Sequence, residues 1–590
     1  MQFFDSIALA AVVHELNSLG EARIDKVGQP SAHELYLNVR AGGQNHRLYL
    51  NVREQWARIH LTERQFPNLP VPFAFTMLLR KHLEGSRLLR VEQDGLERVV
   101  RLVVAGRDEL GDPYERHLVA ELIGKYSNLF LVDSHSEQLL GCLRSVTEEM
   151  CQARQLAPGL PYASPPVAED KVSFLEATEA DFCRALEEDG AVVDRLSRKL
   201  TGVSKVALAQ ILQGLGIDPA VSVGELTGLQ PLLAGLHQAQ ARVRSGCFHP
   251  RLEAGPLWHY NMLWLAPGEP PAGPGPSAVL DAYYGREENR FQLADKRRVL
   301  TSEIQQLLKK QRDRLKEWES TLTKSEGADR HRELGDLITS HMYMITPGMS
   351  ELVATDYYAE GQPEVRVPLD PTLTAGENAQ RYFRRYQKAR NSREAVERLL
   401  GEGRQELGYL EQVETAIAQA ETPRELAEIA EELAALTGKA PAKAKGPRRG
   451  QSPEPPPAPT AYTSSDGLTI LVGKNNKQNE QLTFKVARPF DLWLHTQNIP
   501  GSHVVIVSDG EVPERTLHEA ATLAAHYSKA RESSRVPVIY TRRKFVKKPK
   551  GAKPGMVIYE QEKTLFVTPD PEVIAALEAG TKLQSLVPGP

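Results

Sequence analysis

Apolar and polar residues alternate along much of the first 133 residues, which is the pattern of half-buried antiparallel strands. The alternating segments cover residues 33–40, 46–52, 56–61, 88–104 and 117–133, with polar breaks such as Gly42-Gly43 between them. Residues 1–20 and 73–83 instead repeat apolar positions at helical spacing. The pattern predicts an N-terminal domain, residues 1–170, that combines helices with an antiparallel sheet.

Residues 196–217 contain two short helical patterns on either side of Gly202-Val203-Ser204. This arrangement is typical of a helix-hairpin-helix module, which we place within residues 171–265. Backbone N–H groups at such a hairpin and at the start of the next helix can hold a phosphate. A two-helix packing module without a ligand has the same pattern, so both interpretations stay open.

Beyond the Pro- and Gly-rich residues 266–277, apolar positions recur at mostly alternating four- and three-residue steps, as in the seam of a coiled coil. The seam residues are Leu300, Ile304, Leu307, Gln311, Leu315, Trp318 and Leu322. A second helical run covers residues 377–436, and a strand-like segment lies between the two runs. We expect a long antiparallel coiled-coil hairpin over residues 280–437, with a small tip domain at residues 332–371.

Residues 438–460 are rich in Pro, Ala and basic residues and lack apolar periodicity, which predicts a disordered linker. The final domain, residues 461–590, opens with a strand that leads into Gly473-Lys474-Asn475-Asn476, a sequence typical of a tight turn. Asp491, Trp493 and His495 then alternate along a predicted second strand and are expected on one face of it. The fold class is therefore multidomain α+β, with a C-terminal α/β domain.

Composition narrows the class of protein. The chain has 590 residues, of which 41% are hydrophobic and 25% charged, as is ordinary for a globular protein of about four domains. A net charge of −4 gives no overall signature of nucleic-acid binding, although it is compatible with a local basic patch. The four cysteines, Cys142, Cys151, Cys183 and Cys247, form no CxxC pair, which argues against a zinc site and fits a reducing compartment. Without a signal peptide or an apolar run of ~20 residues, a cytoplasmic location is expected.

The densest positive charge lies in residues 542–553, where seven of twelve residues are Lys or Arg and Phe545 stands among them. These cations would neutralise phosphates, and an aromatic ring could stack on a base. The alternative is a flexible basic loop without a partner. Asp491 and His495 could form a general-base pair, but a strand face that binds RNA uses the same residue types. We find no phosphate-binding loop and no catalytic constellation, and we expect neither a metal site nor a cofactor.

Three blocks of sequence resemble the NFACT family. The matching residues are 29–31, 79–83, 93, 97–100, 121–125 and 127–128 in the N-terminal part, 333–337, 356–358, 368–371 and 377–383 in the middle, and 473–476, 478–479, 491–493, 495 and 500–504 near the C-terminus. They follow the family's domain order along nearly the whole chain. The resemblance implies an N-terminal domain similar to that of formamidopyrimidine glycosylases and a C-terminal domain that binds RNA.

The same resemblance implies a function in ribosome quality control. Such proteins bind large ribosomal subunits obstructed by peptidyl-tRNA, recruit charged tRNA, chiefly alanyl-tRNA in bacteria, and promote mRNA-independent C-terminal tailing of the stalled nascent chain for degradation. The ribosome supplies peptidyl transfer, so the chain is expected to be a binding factor and not an enzyme. Its expected partners are the large subunit, rRNA and tRNA, with no DNA and no membrane.

Two groups of residues are expected to form the binding sites. By resemblance, tRNA recruitment is implied for Glu97, Arg98, Glu121, Leu122, Ile123 and Lys125. Contacts with RNA or the ribosome are expected at Lys474, Asn475, Asn476, Gln478, Asn479, Asp491, Trp493, His495 and His503, and in the basic run at Arg542, Arg543, Lys544, Lys547 and Lys548. The family usually has Asp-Arg at positions 97–98 and Glu-Ile-Met at 121–123, so this chain keeps the charge at the first motif and the bulk at the second.

Two other functions are compatible with parts of the pattern. A formamidopyrimidine-type glycosylase needs an N-terminal proline nucleophile and usually a four-cysteine zinc finger, whereas Gln2 follows Met1 here and the cysteines lack that spacing. A fibronectin-binding adhesin, a label that some relatives carry, would need an export signal or a wall anchor. Sequencing the nucleic acid that co-purifies with the chain separates the three functions, since they predict tRNA and rRNA, DNA, and none.

Overall fold

The computed structural model describes residues 2–66, 69, 71–108, 110–147, 154–166, 170–253, 258–266, 268–325, 327–438 and 459–585. The chain divides into two compact units, Met1–Asn289 and Arg290–Pro590. Within the described residues, none of the helices combines the length and the hydropathy that a membrane span requires. Cys151 and most of the expected linker, residues 439–458, lie outside the described residues.

The first unit is built on a nine-stranded antiparallel sheet. Its strands are β1 (Ala22–Ser31), β2 (Glu34–Ala41), β3 (Gln44–Asn51), β4 (Arg58–Leu61), β5 (Arg87–Gln93), β6 (Val99–Arg107), β7 (Pro113–Glu121), β8 (Asn128–Asp133) and β9 (Leu139–Cys142). Their order across the sheet is β4-β3-β2-β1-β5-β6-β7-β8-β9. The helices α1 (Ser6–Ser18) and α2 (Ala74–Leu83) pack on β5 and β1. The predicted alternating segments therefore form strands, but residues 88–104 and 117–133 each hold two strands joined by a turn. Strand β1 was missed because irregularities in its register with β2 interrupt its alternation.

A helical module follows the sheet in the first unit. Its helices are α3 (Glu179–Ala185), α4 (Val192–Lys199), α5 (Lys205–Gly214) and α6 (Gln230–Arg244), and its short strands are β10 (Val172–Ser173), β11 (Leu200–Thr201), β12 (Arg251–Glu253) and β13 (His259–Asn261). The hairpin between α4 and α5 packs inward, since a Cβ at Gly202 would lie 2.6 Å from the Cβ of Leu96. Ser204 caps α5 and donates a hydrogen bond of 2.7 Å to Asp5. The module and the sheet thus share one hydrophobic core.

Two long helices dominate the first part of the second unit. They are α7 (Pro276–Ser325), which belongs to this unit from Arg290 onward, and α9 (Ala375–Gln419). They run antiparallel, because Gln311 bonds to Gly403 at 3.0 Å and Arg404 pairs with Glu319 at 3.1 Å, while the Arg297 side chain reaches Ala420. Of the predicted seam, Leu300, Ile304, Gln311 and Leu315 are buried. Leu307 is only partly buried, and Leu308 is buried instead, because the seam advances here by two consecutive four-residue steps.

Between the long helices lie α8 (Ala328–Ser340) and the hairpin of β14 (Glu351–Thr355) and β15 (Glu364–Pro368). They share a small core with the start of α9, which includes Leu337, Leu352, Val367 and Tyr382. Helix α10 (Pro423–Thr437) follows α9. It packs on α7 and α9 through Leu426, Ile429 and Leu433.

The rest of the second unit is an α/β domain. Its elements are β16 (Thr460–Thr463), β17 (Thr469–Val472), α11 (Asn476–Gln481), β18 (Leu492–Thr496), β19 (Val504–Ile506), α12 (Glu514–His526), β20 (Val536–Arg542), β21 (Val546–Lys547), β22 (Ile558–Tyr559), β23 (Lys563–Val567) and α13 (Pro571–Ser585). Six strands form a sheet of order β16-β17-β19-β18-β20-β23. The tight turn predicted at Gly473–Asn476 is wrong. Asn475 there caps α11 by accepting a hydrogen bond from the Gln478 N–H, so the same residue types start a helix.

Candidate nucleic-acid interface

Glu97 and Arg98 lie in the turn between β5 and β6. The Gln93 side chain holds this turn by donating hydrogen bonds to the carbonyl oxygens of Ser6 and Glu97, at 3.1 and 2.9 Å. Both Glu97 and Arg98 are half-buried. Burial raises the pKa of Asp5 nearby, and hydrogen bonds from Ala8 and Ser204 and the charge of Arg98 oppose that rise. The turn is therefore rigid and presents Arg98 from a fixed backbone.

Glu121 and Leu122, at the end of β7, are directed into the protein. The Glu121 carboxylate is buried and accepts hydrogen bonds from both terminal nitrogens of Arg154, at 2.6 and 2.7 Å, and from the Tyr162 hydroxyl, at 3.0 Å. Leu122 is fully buried, and Ile123 packs on a small cluster beside it. Glu121 and Leu122 can therefore act on a ligand only by holding the backbone around them in place.

The residues that follow are exposed. Gly124–Tyr126 forms a short 3₁₀ turn, in which the Tyr126 side chain is 60% exposed and the Lys125 Nζ lies 5.0 Å from its ring centroid. The Leu122 N–H donates to the Arg98 carbonyl at 2.8 Å, so this turn adjoins Glu97 and Arg98 at one end of the sheet. Arg98, Lys125 and Tyr126 thus bring two cations and an aromatic ring to this end of the sheet, residue types that can hold a phosphate and stack on a base. Sequence reasoning missed Tyr126, whose signal was an aromatic residue directly after Lys125.

Position 2 tests the glycosylase alternative. Gln2 is buried, its N–H donates a hydrogen bond of 2.5 Å to the Tyr283 hydroxyl, and its side chain accepts one of 3.1 Å from the Tyr260 N–H. Glutamine does not carry the secondary amine of a proline nucleophile, and these contacts place Gln2 in the core. In the described part of the chain, no group of three His, Cys, Asp or Glu side chains could hold a metal ion.

In the C-terminal domain, Lys474 contacts Glu421 just before helix α10, and Asn475, Asn476 and Gln478 face α10 itself. The contacts are Lys474 Nζ to Glu421 at 2.6 Å, Asn475 Nδ2 to Glu428 at 2.8 Å, Asn476 Nδ2 to Glu432 at 2.8 Å, and Gln478 Nε2 to Glu428 at 3.2 Å. All four side chains on the domain are more than nine-tenths buried. These four residues thus bind carboxylates of the chain itself. We call this set of contacts the α10 contact.

The interior of the same domain holds Asn479, Asp491, Trp493 and His503, and His495 lies partly buried beside them. The Asn479 side chain accepts from the His503 N–H at 3.0 Å, and Asp491 accepts from the N–H groups of Arg488 and Ser508 at 2.6 and 3.2 Å. Trp493 and His495 do share one face, with stacked rings 5.9 Å apart, but Trp493 is fully buried. Burial lowers the pKa of His495 to about 4 and that of His503 well below its usual value. Because Asp491 is engaged elsewhere, the geometry does not favour a general-base pair with His495.

The basic run is divided between paired and exposed cations. Lys547 and Lys548 each pair with a glutamate at 2.9 Å, and Lys553 pairs with Glu406 on α9. The guanidinium groups of Arg542 and Arg543 donate to the carbonyl oxygens of Phe490 and Thr483, at 2.5 and 2.7 Å. Lys544 is exposed, with its Nζ 5.5 Å from the ring centroid of Phe490 and 4.9 Å from that of Phe545. The run is therefore a surface in which only some of the cations are free to meet a phosphate.

Two family models match the chain. One, described as NFACT N-terminal and middle domains, covers residues 5–451, and the other, NFACT protein RNA binding domain, covers residues 459–561. Both expected site groups lie within these matches.

Named proteins are similar to the chain over its full length or over part of it. A Bacillus subtilis protein named Rqc2 homolog RqcH is 37% identical over 580 residues, which span 98% of this chain and 99% of that protein. The human protein named ribosome quality control complex subunit NEMF is 34% identical over 147 residues, 25% of this chain and 13% of that protein. Among solved structures, the C-terminal part of the fibronectin/fibrinogen-binding protein from Streptococcus suis is 34% identical with a TM-score of 0.38, covering 48% of this chain and 98% of that one.

Proposed function

The chain belongs to the NFACT family of ribosome-quality-control proteins, and we propose that it binds large ribosomal subunits obstructed by peptidyl-tRNA. There it recruits alanyl-tRNA and promotes mRNA-independent alanine tailing of the stalled nascent chain. The observation that carries this proposal is the end-to-end similarity to the Bacillus subtilis protein. Peptidyl transfer is left to the ribosome, so the chain itself is a binding factor that works in the cytoplasm with tRNA and rRNA.

We further propose a division of labour along the chain. The sheet domain, residues 1–170, is similar to the N-terminal domain of formamidopyrimidine glycosylases and binds tRNA. The helical module of residues 171–265 supports it through their shared core, and the coiled-coil hairpin of residues 280–437 acts as a spacer. The domain of residues 461–590 binds RNA. The shared core and the antiparallel pairing of α7 with α9 support these assignments.

The tRNA site is proposed at the end of the sheet that carries Arg98, Lys125 and Tyr126. A guanidinium can hold a phosphate with two hydrogen bonds, and Glu97 is near enough along the turn to orient a nucleotide hydroxyl. Glu121 acts as a positioning residue, because its bonds to Arg154 and Tyr162 fix the turn that carries Lys125. Loss of one charged hydrogen bond costs ~1.5–3 kcal/mol, which corresponds to roughly ten- to 150-fold in affinity.

Arg98→Ala tests this proposal directly. We expect the variant to melt close to wild type, because Asp5 keeps its bonds to Ala8 and Ser204, and to sediment with large subunits. It should lose co-purifying tRNA and tailing activity, and Arg98→Lys should recover only part, because Lys keeps the charge and lacks the planar fork. The matched control is Arg101→Ala, which removes a surface pair with Glu92 at 3.5 Å on the neighbouring strand. Wild-type levels of tRNA and tailing in Arg98→Ala would show that the site is elsewhere.

A further inference from the structure

Phe490 is an exposed aromatic residue on a rigid backbone. Its side chain is 65% exposed, although it directly precedes the buried residues Asp491 and Leu492. Its carbonyl oxygen accepts from the Arg542 guanidinium at 2.5 Å, and the flanking Pro489 carbonyl accepts from the Lys544 N–H at 3.1 Å. The backbone is thus fixed on both sides while the ring remains in solvent.

The ammonium group of Lys544 lies beside the Phe490 ring. The Lys544 Nζ lies 5.5 Å from the Phe490 ring centroid and 4.9 Å from that of Phe545, which is half-buried. Among the described residues Lys544 pairs with no carboxylate, whereas Lys547 and Lys548 in the same run each do. An ammonium group held over two rings without a counter-ion has room for an anionic partner. We call Phe490, Lys544 and Phe545 the aromatic platform.

We propose that the aromatic platform binds an unpaired nucleotide of RNA, with the base stacked on Phe490 and the adjoining phosphate held by Lys544. This inference rests on the proposed function in one respect, since it assumes that the C-terminal domain binds RNA. A planar ring serves every base, because each base has a π-face, and a neighbouring cation neutralises the phosphate. The ligand class is therefore single-stranded RNA, read with little sequence preference.

A protein partner fits the aromatic platform less well. A stable protein interface buries about 1,200–2,000 Å² around a well-packed apolar centre. Here one exposed ring stands among the cations Arg488, Arg542 and Lys544, and the guanidinium groups of the first two are already bonded to carboxylates or carbonyl oxygens. Charge complementarity thus favours a polyanion that carries planar bases free to unstack. A single RNA strand is such a polyanion.

The test measures the affinity of the full-length chain for a fluorescent single-stranded RNA of twelve uridines across a salt series. Removing one base–aromatic stack costs roughly five- to 150-fold in affinity, so we expect a loss of that size in Phe490→Ala. Phe490→Trp should bind at least as tightly as wild type, and Phe490→Leu should remain weak, because leucine is apolar but offers no flat ring. Lys544→Ala should lower the slope of log affinity against log salt by up to about 0.7.

The matched control is Phe566→Ala. Phe566 is 56% exposed on β23 of the same domain, with the Arg535 guanidinium 5.7 Å from its ring centroid, so it repeats the chemistry away from the basic run. The affinity of Phe566→Ala for RNA should equal that of wild type. Melting curves of all variants should overlap, because the rings of Phe490 and Phe566 are both exposed.

Three results would overturn the inference. They are wild-type affinity in Phe490→Ala, equal affinities in Phe490→Leu and Phe490→Trp, and an equal loss in Phe566→Ala. If the wild-type chain bound neither this RNA nor large subunits, the proposed function would fail together with the inference. If wild type and Phe490→Ala bound RNA equally while Arg98→Ala still abolished tailing, the inference alone would fail.

Discussion

Replacing Asn476 with alanine should loosen the α10 contact. The Asn476 amide is 3% exposed and donates to Glu432, which is 5% exposed and whose other partner is the Tyr409 hydroxyl. The alanine variant leaves a buried carboxylate with one partner fewer. A hydrogen bond to a charged group contributes ~1.5–3 kcal/mol, and the buried group cannot recover it from water.

Hydrogen exchange of the backbone amides of α10 and α11 measures this loss. Local opening controls exchange there, so ~1.5–3 kcal/mol should appear as roughly ten- to 150-fold faster exchange at the slowest amides of both helices. Amides of the tip hairpin β14–β15 should exchange as in wild type, because that hairpin has its own core. Binding of short RNA should stay unchanged if Asn476 serves the α10 contact alone.

Lys477→Ala is the matched control for Asn476→Ala. Lys477 lies on the same helix and pairs with Glu431 on α10 at 3.1 Å, but both side chains are about half exposed. Exposed pairs contribute less than ~1 kcal/mol, so exchange should increase at most a few-fold. Equal exchange rates in the two variants would refute the idea that the Asn476 hydrogen bond contributes more to stability because it is buried. A loss of RNA affinity in Asn476→Ala with unchanged exchange would instead assign this residue to RNA.

Two further predictions concern the seam of the long helices and His495. Leu308→Lys should lower the melting temperature of the second unit more than Leu307→Lys, because Leu308 is 2% exposed and Leu307 is only partly buried. Circular dichroism measures both melting temperatures, and equal losses would contradict this seam. Burial lowers the pKa of His495 from 6.5 to about 4, so the unfolded state binds the proton first and stability should fall as pH drops from 6.5 toward 4. His495→Gln should flatten the pH dependence of unfolding in that window, and an unchanged dependence would assign the acid sensitivity to other groups.

The regular parts of the fold follow from the sequence because a single periodicity decides them. Alternation marks β2 to β8, and the heptad pattern marks α7. The start of α11 shows where such reasoning stops. Asn475 and Asn476 suit both a tight turn and a helix cap, and the choice depends on Glu428 and Glu432, more than 40 residues earlier in the chain.

The sequence predicted which regions hold the candidate sites, but it did not predict which side chains there are exposed. Glu121 and Trp493 have the residue types of binding sites, yet Arg154 and the core of the C-terminal domain bury them. Phe490 was missed for the opposite reason, because an apolar residue beside a strand is expected in the core, and only the surrounding backbone contacts hold it outside. Sequence pattern indicates chemistry, but burial decides which groups can meet a partner.

The contact between Gly403 and Trp318 limits how the two long helices can change length. A Cβ at Gly403 would lie 2.7 Å from the Trp318 ring, so the indole rests directly on the α9 backbone and fixes how far α9 is shifted along α7. An insertion or deletion in one helix between this contact and the tip would move every apolar residue beyond it out of the seam. Natural length variants should therefore gain or lose residues in both helices together, in steps close to seven, the period of the seam.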